Sequence, residues 1–311
     1  MGKILIALLL VALIGFGVWF YRLGGPGQLD LADRWWPGGD TGKQLVSTNI
    51  GYGSIDADYD NDRQSYDVYF PAGAGLPGSP EDCSGRKYPA LIFFHGGSWR
   101  DGNRRNYGFV GRAFTARGYV TFIVDYRKAP QHRYPAFVAD AARAIATIHR
   151  DLPKYPCADA ERLFVSGHSA GAHIAMLAIL DPQWLAANDS NASIVNGVIG
   201  LAGPYDFLPF TSDAAKDALG HWPKLEETQP IHFARGDAPP MLLLSGDADT
   251  TVKPRNSKVL AKAISEKGGK AEVKLYTGVD HTDIIMAVSR PFRSKAPVIE
   301  DMLAFMEKAG R

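Results

Sequence analysis

The chain has 311 residues, of which 46% are hydrophobic and 22% are charged, and its formal net charge is +1. A chain of this length and composition can bury a large core in one α/β domain with an appendage. The near-zero net charge argues against nucleic acid or a strongly charged protein as its partner.

The N-terminus predicts a membrane segment. Residues 4–21 carry no charge and consist mostly of Leu, Ile, Val, Ala and Gly. As a helix they would be roughly 27 Å long, close to the apolar thickness of a bilayer. A cleaved signal peptide is the alternative, but no A-x-A cleavage pattern follows. We therefore predict an uncleaved signal anchor in residues 1–22, with the globular domain on the periplasmic or other extracytoplasmic side.

Residues 23–45 are predicted to be a tether between this anchor and the globular domain. They contain the runs GGPG at 24–27 and PGG at 37–39, and such runs punctuate regular structure. The tryptophan pair at 35–36 either touches the membrane surface or packs on the domain.

The globular domain, residues 46–311, alternates β-branched or aromatic runs with helix-forming stretches. The predicted strands are 46–52, 64–70, 90–94, 120–124, 163–165, 195–201, 241–244 and 271–276. The predicted helices are 106–117, 136–151, 170–180, 254–267 and 297–308, and residues 207–237 interrupt the alternation as a small cap. This order implies an α/β fold with a mainly parallel eight-stranded sheet between helices, and a functional site at the carboxyl ends of the strands.

The sequence GHSAG at residues 167–171 fits the G-x-S-x-G nucleophile elbow, and it lies between a predicted buried strand and a predicted helix. Small residues are needed two places before and after the serine, because the chain reverses sharply there. The turn would leave the Ser169 hydroxyl beside a helix N-terminus, whose partial positive charge favours an anion. Ser169 is therefore the predicted nucleophile.

A serine hydroxyl needs a base and an orienting carboxylate, and after an elbow serine these follow in the order acid, then histidine. Of the eight histidines, only His281 follows the last predicted strands, so it is the predicted base. The candidate acids that follow strand ends are Asp206, Asp247 and Asp249. We favour Asp249, because glycine, aspartate and valine at 246, 249 and 252 match the common acid loop. We expect Asp247 to make turn hydrogen bonds.

The oxyanion of a tetrahedral intermediate needs hydrogen-bond donors that are already in place. The N–H of Ala170, directly after the nucleophile, supplies one. HGGSW at residues 95–99 follows a predicted strand, where the loop of an HGGG-type motif belongs, so the N–H groups of Gly97 and Ser98 are the other candidates. Two aromatic residues are candidates for a pocket wall: Trp99, which could equally pack under the loop, and Tyr205.

These motifs together resemble the α/β-hydrolase superfamily over about residues 46–309. HGGSW at 95–99, DYR at 125–127 and GHSAGAH at 167–173 are similar to one branch of it. That branch contains hormone-sensitive-lipase-like carboxylesterases, kynurenine formamidases, feruloyl esterases and isoprenylcysteine methylesterases. The resemblance implies a serine carboxylesterase that works through an acyl-enzyme, and the small cap favours small or medium esters. No phosphate-binding glycine loop and no cysteine–histidine metal spacing is apparent, so no cofactor or metal is implied.

Two other functions stay open. The same branch includes amide hydrolases, so an arylformamidase or a peptidase-like hydrolase is the alternative within enzymes. A non-catalytic, membrane-anchored binding module is the alternative from another class, although serine, acid and histidine in the expected order argue against it.

The resemblance also bears on the only two cysteines, Cys83 and Cys157. The family's usual strand order would place the predicted strands 90–94 and 163–165 side by side, and each cysteine shortly precedes one of them. We therefore predict a Cys83–Cys157 disulfide if the domain is exported, against the alternative of two free buried thiols.

Overall fold

The structure is a computed structural model that describes residues 15, 17–18, 20–21, 23–37, 45–51, 63–71, 74, 85–155 and 157–310. Its centre is one eight-stranded sheet in the order β1-β2-β4-β3-β5-β6-β7-β8. The strands are β1 (Leu45–Gly51), β2 (Ser65–Phe70), β3 (Tyr88–Phe94), β4 (Val120–Val124), β5 (Ala158–His168), β6 (Gly197–Leu201), β7 (Met241–Gly246) and β8 (Ala271–Tyr276). β2 pairs antiparallel with β1 and β4 and the other five pairs are parallel, so the sheet is mainly parallel, as the sequence predicts.

Helices connect the parallel strands and cover both faces of the sheet. They are α1 (Gly24–Trp35), α2 (Gly108–Thr115), α3 (Ala136–Asp151), α4 (Ala170–Leu180), α5 (Pro182–Ala186), α6 (Asp213–Leu219), α7 (Arg255–Glu266), α8 (Asp283–Met286) and α9 (Val298–Ala309). The five helices predicted from the sequence occur as α2, α3, α4, α7 and α9, with ends within two residues of the expected positions.

Alternate residues of the central strands face opposite helical layers. In β3, Ala90, Ile92 and Phe94 belong to the core cluster that also contains residues of α3 and α4. Leu91 and Phe93 belong to the second cluster, with residues of α2 and α9. Because both faces are buried, these strands are continuous apolar runs. The loops after β3, β5, β7 and β8 all leave from the carboxyl edge of the sheet.

The predicted tether is wrong for residues 24–35, which form α1 and pack on the domain. The side chains of Asp30 and Asp33, less than one helical turn apart, accept hydrogen bonds from Arg112 on α2 at 2.7 and 2.8 Å. Burial alone would lower the pKa of Arg112, but these two carboxylates raise it. Pro26, part of the run that predicts a tether, lies in the first turn, where the missing N–H breaks no helical hydrogen bond.

Asp33 also joins α1 to a second part of the domain. It is 1% exposed, and its Oδ1 accepts the backbone N–H of Arg290 at 2.7 Å, while its carbonyl accepts a guanidinium N–H of the same arginine. The neighbouring tryptophans do not pack on the domain core, since Trp35 is 78% exposed and Trp36 48%.

No helix of the described residues is long and apolar enough to cross a bilayer. The predicted signal anchor, residues 1–22, lies mostly outside the part of the chain that the structure describes, so it stays a prediction.

Cys157 is buried and disulfide-bonded. The chain has one other cysteine, Cys83, which lies outside the described residues. β3 and β5 are neighbours in the sheet, which is the strand order that the resemblance implies.

We expect Asp33→Ala to lower the free energy of unfolding by about 3–5 kcal/mol, because it removes one of the two carboxylates that pair with Arg112 and also the acceptor of the Arg290 N–H. Urea unfolding of the full chain in mild detergent measures the change. Arg34→Ala is the matched control on the same helix: Arg34 is 61% exposed where it pairs with Asp30, so its loss is expected to cost less than about 1 kcal/mol. Equal effects of the two substitutions would contradict a structural role for the buried pair.

Candidate active site

Ser169 lies in a sharp turn between β5 and α4. Its backbone has φ 54° and ψ −121°, a conformation that residues with side chains rarely adopt. A Cβ on Gly167 would come within 2.6 Å of the Gly171 carbonyl carbon, and a Cβ on Gly171 would overlap the Phe94 carbonyl oxygen at the end of β3. The Ser169 N–H donates to the Leu201 carbonyl at 2.9 Å, which ties the turn to β6. This is the elbow conformation that the motif predicts.

The structure brings Ser169, His281 and Asp249 into one line of hydrogen bonds. His281 Nδ1 lies 2.8 Å from Asp249 Oδ2, and His281 Nε2 lies 2.9 Å from Ser169 Oγ. A carboxylate only accepts, so Nδ1 carries the proton of the neutral ring and Nε2 is free to accept from the serine hydroxyl. The Asp249 side chain is fully buried, whereas that of His281 is 16% exposed.

The second oxygen of Asp249 is also engaged. Oδ1 accepts the N–H groups of Thr251 at 2.9 Å and Val252 at 2.8 Å. These bonds fix the carboxylate so that its other oxygen faces His281, and they explain why the acid loop has its characteristic spacing.

The other candidate acids have different partners. Asp247 Oδ1 accepts the Gly278 N–H at 2.7 Å, so it joins the acid loop to the loop that carries His281. Asp206 pairs with Arg255 at 2.6 Å. Neither contacts His281, and of the three carboxylates the structure places only Asp249 there.

The loop after β3 lies against the elbow. A Cβ on Gly96 would be 3.4 Å from Ser169 Cβ, which shows how close the two segments are. The next three residues have positive φ angles: 131° at Gly97, 53° at Ser98 and 60° at Trp99. Within the described part of the chain, the N–H groups of Gly97, Ser98 and Ala170 have no hydrogen-bond acceptor, so they are available to a bound anion.

A buried charged cluster supports this loop, and sequence reasoning did not identify it. His95 Nε2 lies 2.9 Å from Asp125 Oδ1, and Lys128 and Arg104 also pair with this carboxylate. Burial would raise the pKa of Asp125, but the hydrogen bond with His95 and the charge of Lys128 hold it well below its usual range. The sequence motif that contains Asp125, DYR at 125–127, indicates the family but does not by itself indicate this cluster.

Trp99 packs between the elbow helix and the cap. Its Nε1–H donates to His173 Nδ1 at 3.0 Å, and His173 Nε2–H donates to the Thr228 carbonyl at 2.8 Å. Burial lowers the pKa of His173 to about 4, so the ring stays neutral. Trp99 is 5% exposed and stacks on Phe207, with ring centroids 5.9 Å apart. Of the two readings of Trp99, the structure favours packing.

Tyr205 is fully buried and does not line an open pocket. Its hydroxyl lies so close to Gly200 and Gly203 that a Cβ at either position would overlap it. This predicted pocket residue is therefore a core residue beneath β6.

A cavity of about 340 Å³ lies at the other end of α4, and its lining includes none of Ser169, Asp249 and His281. Arg235, at its wall, donates to the carbonyls of Ile179 and Leu180 at 3.1 and 3.0 Å. These bonds cap the C-terminal end of α4, so the arginine has a structural role there.

The BD-FAE family model matches residues 79–264, more than half of the chain. The chain belongs to the BD-FAE family. It therefore lies in the carboxylesterase branch of the α/β-hydrolases, as the sequence motifs predict.

Curated relatives and solved structures agree with this assignment. The chain is 26% identical over 262 residues to isoprenylcysteine alpha-carbonyl methylesterase ICME of Arabidopsis thaliana, which covers 78% of this chain and 57% of the relative. It is 31% identical over 190 residues to esterase LipC of Mycobacterium tuberculosis, covering 55% of this chain and 47% of the relative. The chain thus spans about half the length of these relatives. A truncated carbohydrate esterase from gut microbiota has the same fold, with a TM-score of 0.71 at 20% identity, covering 88% of this chain and 99% of that one.

Proposed function

We propose that the protein is a serine carboxylesterase that hydrolyses small to medium carboxylic esters through an acyl-enzyme. The observation that carries the proposal is the line of hydrogen bonds from Ser169 Oγ through His281 to Asp249, at 2.9 and 2.8 Å. The relatives described above, which include esterases and a methylesterase, support an ester as the substrate.

Acylation uses the proton-accepting nitrogen of His281. As Ser169 Oγ forms a bond to the ester carbonyl carbon, its proton passes to His281 Nε2, and Asp249 stabilises the resulting imidazolium. The carbonyl oxygen becomes an oxyanion, which accepts hydrogen bonds from the N–H groups of Gly97, Ser98 and Ala170. The carbon–oxygen bond to the alcohol then breaks, and His281 gives its proton to the leaving oxygen.

Deacylation repeats these steps with water. His281 Nε2 takes a proton from the water as its oxygen attacks the acyl carbon, and the same N–H groups stabilise the second oxyanion. The bond to Ser169 Oγ breaks, the proton returns to the serine, and the carboxylic acid leaves.

The small cap supports substrates of limited size. Between β6 and β7 the chain forms only α6 and two short 3₁₀ turns, Leu225–Thr228 and Pro230–Phe233. The stacked pair of Trp99 and Phe207 fills the space beside the elbow helix, which leaves little room there for a long acyl chain.

We expect Ser169→Ala to lower kcat for a short p-nitrophenyl ester by roughly 10⁴–10⁶-fold while the protein stays folded. Ser265→Ala is the matched control, because Ser265 lies exposed on α7. Formanilide and aminoacyl-anilide substrates assayed in parallel separate ester from amide hydrolysis. Full activity of folded Ser169→Ala would rule out the mechanism, and faster turnover of the formanilide would favour an arylformamidase.

Asp249→Asn is expected to lower kcat by about 10³–10⁴-fold, because the amide can donate to His281 Nδ1 and so stabilise the wrong tautomer. Asp247→Asn, two residues away, keeps the carbonyl oxygen that accepts from Gly278 and is expected to change kcat by less than about tenfold. If Asp247→Asn lowered kcat more than Asp249→Asn does, Asp247 and not Asp249 would be the acid of the triad.

We also propose that residues 1–22 anchor the chain to a membrane, with the catalytic domain on the extracytoplasmic side. Most of the large hydrophobic side chains exposed in the described part of the chain lie in this segment or at the end of α1: Val18, Phe20, Tyr21, Trp35 and Trp36, against Leu208 and Leu275 elsewhere. Aromatic residues are enriched where a membrane segment meets water. The disulfide at Cys157 suits an oxidising compartment.

We expect the full chain to stay in the membrane pellet after alkaline carbonate extraction, because an apolar helix, unlike a charge contact, resists high pH. Protease added outside intact cells or spheroplasts should digest the domain. A chain lacking residues 1–22 is the control and is expected in the soluble fraction. Release of the full chain by carbonate would contradict the anchor, and protection from protease would contradict the orientation.

A further inference from the structure

His168, the residue before Ser169, contacts the loop that carries His281. Its Nε2 lies 3.1 Å from the backbone carbonyl oxygen of His281, and the two rings are 5.0 Å apart between centroids. The contact joins residues 113 positions apart in the sequence, at the end of β5 and after β8. In the sequence, His168 is only the second residue of the elbow motif.

The protonation of His168 follows from its surroundings. A carbonyl only accepts, so Nε2 carries the proton and donates it, and Nδ1 has a free lone pair. Nδ1 is buried without a hydrogen-bond partner among the described residues. A Cβ on Gly96 would be 2.9 Å from this nitrogen, so the ring is wedged between the loop after β3 and the loop after β8. Burial, together with the nearby His281, lowers the pKa of His168 to about 3.

Other hydrogen bonds hold the neighbours of His281 in the loop after β8: the Gly278 N–H donates to Asp247, and the Thr282 N–H donates to the Asp280 side chain. Among the described residues, the main chain of His281 itself is bonded only by His168. Thr277, Gly278, Asp280 and Thr282 are exposed, and within residues 277–282 only Val279 is buried. The hydrogen bonds of the His281 ring to Asp249 and Ser169 fix the side chain. The hydrogen bond from His168 fixes the backbone at the same residue.

We propose that His168 is a positioning residue, which holds the main chain of His281 so that its Nε2 stays within reach of Ser169 Oγ. The inference rests on the proposed serine esterase function and adds a residue to it. An unsatisfied buried nitrogen such as Nδ1 needs a compensating benefit, and the placement of the catalytic base supplies one. The side chain must also stay neutral, since a cation 5.0 Å from the His281 ring would oppose the imidazolium that forms there.

Two substitutions that differ only in the donor test this role. Glutamine places an amide N–H₂ as many bonds from Cα as histidine Nε2, and methionine has the same length without a donor. We expect His168→Met to lower kcat by roughly 10–100-fold, with KM changed by less than about threefold, because a small displacement of a catalytic group is costly. His168→Gln is expected to recover kcat to within about fivefold of the unmodified protein.

His221→Met is the matched control. His221 Nε2 donates to the Tyr134 carbonyl at 3.0 Å, the same kind of bond, but in the cap and without contact to the triad. The kcat of His221→Met is expected to stay within about twofold of that of the unmodified protein. Thermal unfolding of each variant shows that it is folded, and His168→Leu replaces the methionine variant if that variant does not fold.

Hydrogen exchange of residues 277–283 gives a readout that does not depend on turnover. We expect exchange of this segment to be faster by about tenfold in His168→Met and close to the original rate in His168→Gln. Unchanged kcat in a folded His168→Met variant, or a glutamine variant as slow as the methionine variant, would overturn the proposal. Activity that survives Ser169→Ala would instead remove the proposed function, while the exchange rates would still report whether His168 holds the loop.

Discussion

The close approach of α4 to the end of β3 determines where every part of the site lies. Gly171 packs against the Phe94 carbonyl so tightly that no Cβ fits between them. The turn that allows this approach puts Ser169 at φ 54°, and the hydrogen bond of its N–H to Leu201 helps to offset that strain. Because β3 ends there, the loop that begins at His95 has to pass directly over the serine.

Two buried, neutral histidines then connect the elbow to its surroundings. His168 reaches the loop of His281, and His173 joins Trp99 of the upstream loop to the Thr228 carbonyl of the cap. Burial lowers the pKa of both histidines, so both rings are neutral. Each ring donates one N–H, and the second nitrogen of His173 also accepts a hydrogen bond. A neutral imidazole can link two segments of the core by hydrogen bonds without adding a buried charge.

A buried cluster of charged side chains supports the loop after β3. Its first residue, His95, is fully buried together with Asp125 and Arg104, and Lys128 is 3% exposed. Removing such groups from water is unfavourable, and their mutual pairing has to compensate for it. The loop that this cluster supports has three successive residues with positive φ angles, from Gly97 to Trp99.

A feature of this structure could be predicted from the sequence where a short stretch of residues determines it, and not where it depends on contacts between distant residues. The strands are apolar runs and the elbow is a five-residue pattern, so the parallel sheet, Ser169 and the order of acid and histidine could all be inferred from short stretches. The contact of His168 with His281 spans 113 positions, and no local pattern indicates it. Likewise the glycine and proline run at 24–27 predicts a tether, whereas the contacts that pack this stretch on the domain are with the distant Arg112 and Arg290.

The position of α1 has a consequence for the whole chain. Asp33 binds Arg112, on the helix that follows the upstream loop, and Arg290, which follows the loop of His281. This helix is therefore bonded to α2, which follows the loop after β3, and to a residue that follows α8. A flexible tether would leave residues 24–35 free to move relative to the domain, whereas the buried ion pairs at Asp30 and Asp33 fix α1 to it. The folded domain thus includes α1, which the sequence assigns to a tether.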